Sequence, residues 1–458
     1  MFLSDTITAI STGMNNAGIG IIRISGDSSF EIAGKIFFKK NGEAHTYFES
    51  HRVYYGFIKD GEDIIDEVLL ISLKSPRSFT GEDTIEINCH GGNLVMRKIL
   101  KLVIRNGARL AEPGEFSKRA FLNGRIDLSE AEAIIDVINS KNELALNNSL
   151  KQLTGELNEK IRNIRNILKY EIAYIESALD DPEHYDLDGY YERLIPVLKK
   201  IKDDLILMKK SFKDGKIIKE GINTVIIGKP NVGKSSLLNI LTGEETAIVT
   251  DIAGTTRDVI EQNVVIGNLT LKLSDTAGVR DTDDIIEKLG VEKTYKYADN
   301  ADLIIMVIDS SNKLNDEDIG LFEYIKNRNA IILLNKSDLK TVISEKDVAE
   351  YTEKKVLSIS AKDETGIIEL KDCLEEMFIS GSIDFNDEIL ITNERHFNLI
   401  EQAINSIKDA LNNIEMKMPE DLISIDLVNS YESLGGIIGE SLEDDIIDEI
   451  FSKFCMGK

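Results

Sequence analysis

The stretch Val225-Ile-Ile-Gly-Lys-Pro-Asn-Val-Gly-Lys-Ser-Ser236 decides the fold. An apolar strand runs into a glycine-bearing loop, and the loop opens an apolar-periodic helix. Gly228, Gly233, Lys234 and Ser235 fit the phosphate-loop pattern G-x-x-x-x-G-K-[ST]. Chemistry explains the spacing. Glycines let the backbone curl until several N–H groups point at one phosphate, with no Cβ in the way. The helix beginning near Lys234 adds the positive end of its dipole. Lys234 reaches the β- and γ-phosphates, and the Ser235 hydroxyl is a ligand for Mg²⁺. On its own, the pattern also describes a glycine-rich strand–helix turn that binds nothing.

Further motifs follow in a fixed order. Gly254-Thr-Thr-Arg-Asp258 supplies a threonine that can reach Mg²⁺ and the γ-phosphate. The strand Leu271-Lys-Leu-Ser-Asp-Thr-Ala-Gly278 ends in Asp275, which would hold the metal through water, and Gly278, whose N–H would meet the γ-phosphate. The strand Ile331-Ile-Leu-Leu-Asn-Lys-Ser-Asp338 ends in a carboxylate that can accept both N1–H and N2–H of guanine. Adenine offers no such pair, and a buried carboxylate left unpaired is costly, so Asp338 sets base choice. Ile359-Ser-Ala-Lys362 can place a backbone N–H on guanine O6.

Together these motifs resemble a Ras-like GTPase domain over residues 221–381. Its nucleotide would contact Asn231, Val232, Gly233, Lys234, Ser235 and Ser236. It would also contact Thr250, Asp251, Ile252, Ala253, Gly254, Thr255 and Thr256, then Asp275, Thr276, Ala277 and Gly278. Asn335, Lys336, Asp338, Ser360, Ala361 and Lys362 complete the set. Two departures from the Ras pattern matter. Val279 stands where a glutamine usually orients the attacking water, and valine cannot hydrogen-bond to it. Asn231 sits inside the phosphate loop, and with the loop Thr250–Thr255 its oxygens can enclose a monovalent cation beside the phosphates.

The composition sets bounds. With 458 residues the chain is long enough for two to four domains, and 42% apolar residues can build their cores. No window approaches the ~20 apolar residues of a membrane span, and no charged n-region precedes an apolar core. Cys89, Cys373 and Cys455 lie far apart, without disulfide or zinc spacing. A reducing, cytoplasmic location is expected. The net charge of −26 excludes nucleic-acid binding through the overall field, leaving a local patch or a basic partner.

Residues 1–120 read as a mixed α/β domain, with strands at Ile21–Ile24, Val68–Leu73 and Thr84–Cys89, a helix over Leu94–Arg105 and a turn at Ala111–Phe116. Residues 121–220 read as helical, nearly unbroken from Ser129 to Ala178, with Ser129 and Glu132 as a capping box. A second helix is expected over Gly189–Phe212. After the α/β module, residues 382–458 return to helix over Thr392–Lys417 and Asp421–Phe454. The expected architecture is a GTPase domain inserted into an all-α domain; two separate helical domains are the alternative.

The full set of motifs is similar to the MnmE (TrmE) family of tRNA-modification GTPases. Gly228–Ser235, Thr250–Asp258 and the ending Phe454-Cys-Met-Gly-Lys458 carry the resemblance. So do Ser78-Phe-Thr-Gly-Glu-Asp83, His90-Gly-Gly92, Pro113–Ser117 and Arg119–Arg125. The resemblance implies an N-terminal α+β domain that binds 5-formyl- or 5,10-methylene-tetrahydrofolate and forms a homodimer. Arg23, Glu86, Arg125 and Lys458 would line the folate; the family often has lysine at the place of Arg125, which keeps charge but changes geometry. It implies a K⁺ site on Asn231, Thr250, Ile252 and Thr255, and Mg²⁺ on Ser235 and Thr256. Glu287 would position water in place of the missing glutamine, with Arg257 and Arg280 in support. Cys455 would lie near the folate, in either a nucleophilic or a structural role.

The resemblance further implies an FAD- and NADH-dependent partner, MnmG, in a heterotetramer or larger complex, with tRNA held mainly by that partner. Together they would form 5-carboxymethylaminomethyl or aminomethyl uridine at the wobble position. Potassium would stimulate hydrolysis by pairing two G domains. A ribosome-assembly or translation GTPase is the alternative; it leaves the N-terminal domain and the Cys-x-Gly-Lys ending unexplained. A folate aminomethyl transferase with a vestigial G domain is a third reading, opposed by five intact nucleotide motifs.

Overall fold

The computed structural model describes residues 5–14, 16–181, 183–185, 187–243, 261–274, 298–378, 389–440, 444–454 and 457. The chain forms two compact units: Met1–Ile135, Gln152–Ile195 and Asn405–Lys458 in one, Asp136–Lys151 and Pro196–Ile404 in the other. The dividing lines fall inside helices. Among the described residues, no helix is long and apolar enough to cross a membrane.

The first unit opens with β1 (Ile7–Ile10), β2 (Ala17–Ser25), α1 (Ser29–Ile36), β3 (Phe37–Phe38), β4 (Arg52–Asp60), β5 (Asp63–Leu73), β6 (Thr84–Gly91), α2 (Asn93–Arg105) and β7 (Arg109–Leu110). Seven strands make one sheet in the order β3-β4-β5-β6-β2-β1-β7, antiparallel except where β7 joins β1. Period-2 alternation decides the faces. Ile22, Ile24, Ile85 and Ile87 turn inward and bury with Ile32, Ile36, Met96, Ile99 and Val103 of the two helices. Arg23 and Glu86 between them, and Asn88 after Ile87, stay on the other face.

The stretch expected as a turn at Ala111–Phe116 ends in α3 (Glu115–Leu122), whose N-cap Gly114 has φ 68°. The long helix expected after Ser129 is three: α4 (Leu128–Asn139), α5 (Glu143–Leu153) and α6 (Glu156–Asp180). Asn142 breaks the first pair by capping α5, its Oδ1 accepting the Ala145 N–H at 2.8 Å. Gly155, at φ 87°, breaks the second. The capping box is not Ser129 with Glu132. Asp127 Oδ1 accepts the Glu130 N–H and Glu130 Oε2 accepts the Asp127 N–H, both at 2.9 Å, because α4 begins at Leu128 and so puts Asp127 at its cap.

The remaining helical pieces are α7 (Tyr190–Lys210), α8 (Phe212–Glu220) and, after the second sheet, α13 (Glu394–Glu415), α14 (Glu420–Ile438) and α15 (Asp444–Ser452). The single helix expected over Asp421–Phe454 breaks at Gly439, φ 85°, where a Cβ would meet the Phe121 ring and Leu128. In the first unit α6 packs along α14. Phe451, Phe454 and Ile447 bury against Leu128 and Ala131.

The second unit carries β8 (Ile222–Ile227), α9 (Lys234–Gly243), β9 (Glu261–Ile266), β10 (Leu269–Ser274), β11 (Leu303–Asp309), α10 (Asp316–Ile325), β12 (Ala330–Asn335), α11 (Glu345–Ala349), β13 (Lys355–Ser358) and α12 (Ile367–Phe378). Its sheet runs β13-β12-β11-β8-β10-β9, parallel except for the β9–β10 hairpin. Every residue of β11 and β12 is buried, as a parallel sheet covered on both faces requires. Asn142 ties α8 to this sheet: Nδ2 donates to the Ile218 carbonyl at 3.0 Å and to Thr270 Oγ1 of β10 at 3.1 Å. The returning chain is clamped too, Asn148 exchanging two hydrogen bonds with the Leu390 backbone. This is a Ras-like P-loop domain set within helical segments and preceded by an α+β domain.

Candidate nucleotide and ligand sites

The phosphate loop joins β8 to α9. Gly228 adopts φ 146°, and a Cβ there would meet the Val307 carbonyl at 2.3 Å. Gly233 adopts φ 99°, and its Cβ would strike Asn335 Nδ2 at 2.1 Å. Both glycines are therefore required by close approach as well as by conformation. Asn231 takes a left-handed φ of 60° without being glycine, the conformation asparagine tolerates best. Val232 is buried beneath the loop. Lys234 Nζ donates to the Gly228 and Lys229 carbonyls at 2.8 and 2.7 Å, across the mouth of the loop. Asn231, Ser235 and Ser236 are exposed, and their side chains carry no hydrogen bond among the described residues.

The loops assigned to the base meet this one directly. Asn335, 2% exposed, donates from Nδ2 to the Val232 carbonyl at 2.8 Å and accepts the Ala361 N–H on Oδ1 at 2.9 Å. One amide thus fastens the phosphate loop, the end of β12 and the segment after β13 together. Lys336, at φ 65°, donates to Asp309 Oδ2 at 2.6 Å. Burial acts to raise the Asp309 carboxyl, but hydrogen bonds from Lys336 and Ser311 outweigh it and hold it below the usual carboxylate range. Sequence reasoning missed Asp309; an apolar strand ending in an acid was the available signal. Asp338 is exposed rather than buried. Ser360 Oγ donates to its Oδ1 at 2.8 Å. The second oxygen carries no hydrogen bond among the described residues. Lys362 is exposed beside the buried Ala361.

In the first unit the β2–β6 register sets Arg23 opposite Glu86. Arg23 Nε and Nη2 both reach Glu86 Oε1, at 2.9 and 2.8 Å. Phe79 and Phe116 flank the guanidinium at 5.4 and 5.6 Å from the ring centroids. Both phenylalanines lie in motif stretches, yet neither was singled out from sequence. Phe79 belongs to a loop held from beneath by Arg119. That guanidinium, 1% exposed, bonds Asp5, Glu82 and Glu115. Arg125 is exposed past the end of α3, and among the described residues no hydrogen bond or ion pair joins its side chain to Arg23 or Glu86. The C-terminal Gly457 reaches the same domain, its carbonyl accepting from Ser11 Oγ at 2.9 Å.

Thr250, Asp251, Ile252, Ala253, Gly254, Thr255, Thr256, Arg257, Asp275, Thr276, Ala277, Gly278, Arg280, Glu287, Cys455 and Lys458 lie outside the described residues. Cys89 and Cys373 offer no nucleophile. Burial pushes the Cys89 thiol up to about 11 and raises that of Cys373 as well.

Residues 6–125 match the family described as the GTP-binding protein TrmE N-terminus, and residues 128–455 that of the MnmE helical domain. The chain is 55% identical over 457 residues to the tRNA modification GTPase MnmE of Lachnoclostridium phytofermentans, spanning 99% of this chain and 100% of that one. Identity to MnmE of Clostridioides difficile is 48% over 459 residues, covering 100% of both. For MnmE of Bacillus subtilis it is 44% over 458 residues, covering 99% of this chain and 100% of the relative. The phosphate loop and base loops described above are what a GTP-hydrolysing member requires, and the chain belongs to the MnmE family of tRNA modification GTPases.

Proposed function

We propose that this GTPase, with an FAD-containing MnmG partner, builds 5-carboxymethylaminomethyl or aminomethyl uridine at the tRNA wobble position. A folate held by the first unit supplies the carbon. The observation that carries the reading is the presence in one chain of two unlike sites. One is a phosphate loop laced to base-reading loops. The other is an Arg23–Glu86 pair set on a sheet face beside two phenylalanines. A carboxylate suits the guanidine-like edge of a pterin, and the half-buried Phe79 ring suits its flat face, while Phe116 lies wholly in the core behind the guanidinium. Glu86 Oε2 is free of Arg23 and would take the pterin edge; Arg125 and Lys458 would meet the glutamate tail.

In the second unit Ser235 and Thr256 would hold Mg²⁺. Asn231, Thr250, Ile252 and Thr255 would hold K⁺. The exposed, uncommitted oxygens of Asn231 and Ser235 support this, because hard cations take oxygen ligands. Potassium would supply the charge that an arginine finger gives elsewhere and would help two G domains pair. Glu287 would place the water, with Arg257 and Arg280 beside it, and Cys455 would stand near the folate. Exposed Val53, Tyr55 and Leu69 on the open sheet face support a homodimer through the first unit. Delegating tRNA phosphates to a basic partner fits a net charge of −26, and a cytoplasmic location fits the substrate.

Nucleoside mass spectrometry tests the reading. A strain lacking this chain should lose the modified wobble uridine and regain it with the intact gene but not with Glu86→Ala. Unchanged nucleosides in the deletion strain would falsify the proposal.

A further inference from the structure

Lys229 occupies a phosphate-loop position that the G-x-x-x-x-G-K-[ST] pattern leaves open. Its ammonium donates to Asp318 Oδ2 at 2.6 Å and to Asn315 Oδ1 at 3.1 Å. Those two residues are the cap of α10. Asp318 Oδ2 also accepts the Asn315 N–H at 3.0 Å, and Asn315 Oδ1 accepts the Asp318 N–H at 3.2 Å. The ammonium therefore closes a reciprocal capping box from above. The pair is not a surface one, since the Asp318 side chain is 3% exposed and that of Lys229 20%. An exposed pair would contribute little, whereas removing one partner here leaves a buried carboxylate without its cation.

The same residue is held at its backbone. The Lys229 carbonyl accepts from Lys234 Nζ at 2.7 Å. Lys229 thus links the lysine assigned to the phosphates with the start of α10. The last residue of β11, Asp309, receives a second lysine, Lys336. The stretch Asp309–Asp318 thus takes one ammonium from each of the two loops assigned to the nucleotide. Around Lys229 the loop bends through Gly228 and Asn231, both at positive φ, so this limb needs an outside anchor to keep one shape. A loop held in its bound shape loses less entropy when the ligand arrives.

We propose that Lys229 is a positioning residue for GTP, and that the Asn315–Asp318 cap of α10 is the fixed point that presets the phosphate loop. The proposal rests on the assignment of that loop to the phosphates. The test uses the full chain and three readouts: dissociation of a fluorescent GDP analogue, KM and kcat for GTP, and melting temperature without nucleotide. Lys229→Met and Asp318→Asn should each speed GDP dissociation about tenfold. KM should rise by a similar factor, with the loss falling on KM rather than on kcat at saturating GTP. The double variant should add little to either single one, and Lys229→Arg should restore most of the affinity. Wild-type dissociation rates in both variants overturn the proposal. So does a lowered melting temperature with unaltered dissociation, which marks a purely structural pair, or a loss confined to kcat. Lys234→Ala tests the loop assignment separately: undiminished GDP binding there removes the assignment and the proposal with it.

Discussion

The two sheets of this chain carry their sites in opposite ways. In the second unit β11 and β12 are buried along their whole length, so nothing mid-strand is free to bind. The candidate nucleotide site sits instead in the loops at the strands' carboxyl ends, the place where doubly wound sheets bind ligands. In the first unit the antiparallel sheet has helices on one face and a second face where Tyr55 and Leu69 lie exposed. There Arg23 and Glu86 stand mid-strand, brought together by register across 63 residues of sequence. A parallel sheet leaves its ends for function; a half-covered antiparallel one leaves its face.

If the end-loop site reads guanine through Asp338, Asp338→Asn should reverse the preference between GTP and xanthosine triphosphate by about 10⁴-fold. Competition binding measures it, and folate affinity should not change. Retained guanine preference would remove Asp338 from the base site. Exchanging potassium for sodium should slow GTP hydrolysis about a hundredfold, again without touching the face site. Equal rates in the two salts would remove the cation from the loop. The smallest effect is expected on the open face. Glu86→Gln should weaken 5-formyl-tetrahydrofolate by about 10–100-fold in calorimetry, with GDP binding unaltered. A shift in GDP affinity in that variant would show that the two sites are not independent.

The same contrast explains what the sequence revealed. End-loop sites gather glycines and charged residues into short contiguous motifs, so Gly228, Gly233, Lys234, Asn335 and Asp338 could be placed by spacing alone. A face site has no contiguous signature. Arg23 and Glu86 each look like one more charge on a strand, and only family resemblance picked them out. Phe79 escaped because aromatic residues most often belong to a core, as the fully buried Phe116 does. Lys229 escaped because the motif is indifferent to that position and its partners lie in another element. Helix limits failed where a single residue overrode periodicity, as Asn142, Gly155 and Gly439 do. The cap of α4 was misplaced by two residues because Asp127 and Ser129 are both good caps, and only the helix start decides between them.

Asn335 stands against Gly233 with no room for a methyl group between them. Any side chain at 233 must first evict the amide that also holds Val232 and Ala361. Damage aimed at the triphosphate end would thus surface as confusion over which purine to accept, and a mutational scan of this pair should find few tolerated combinations.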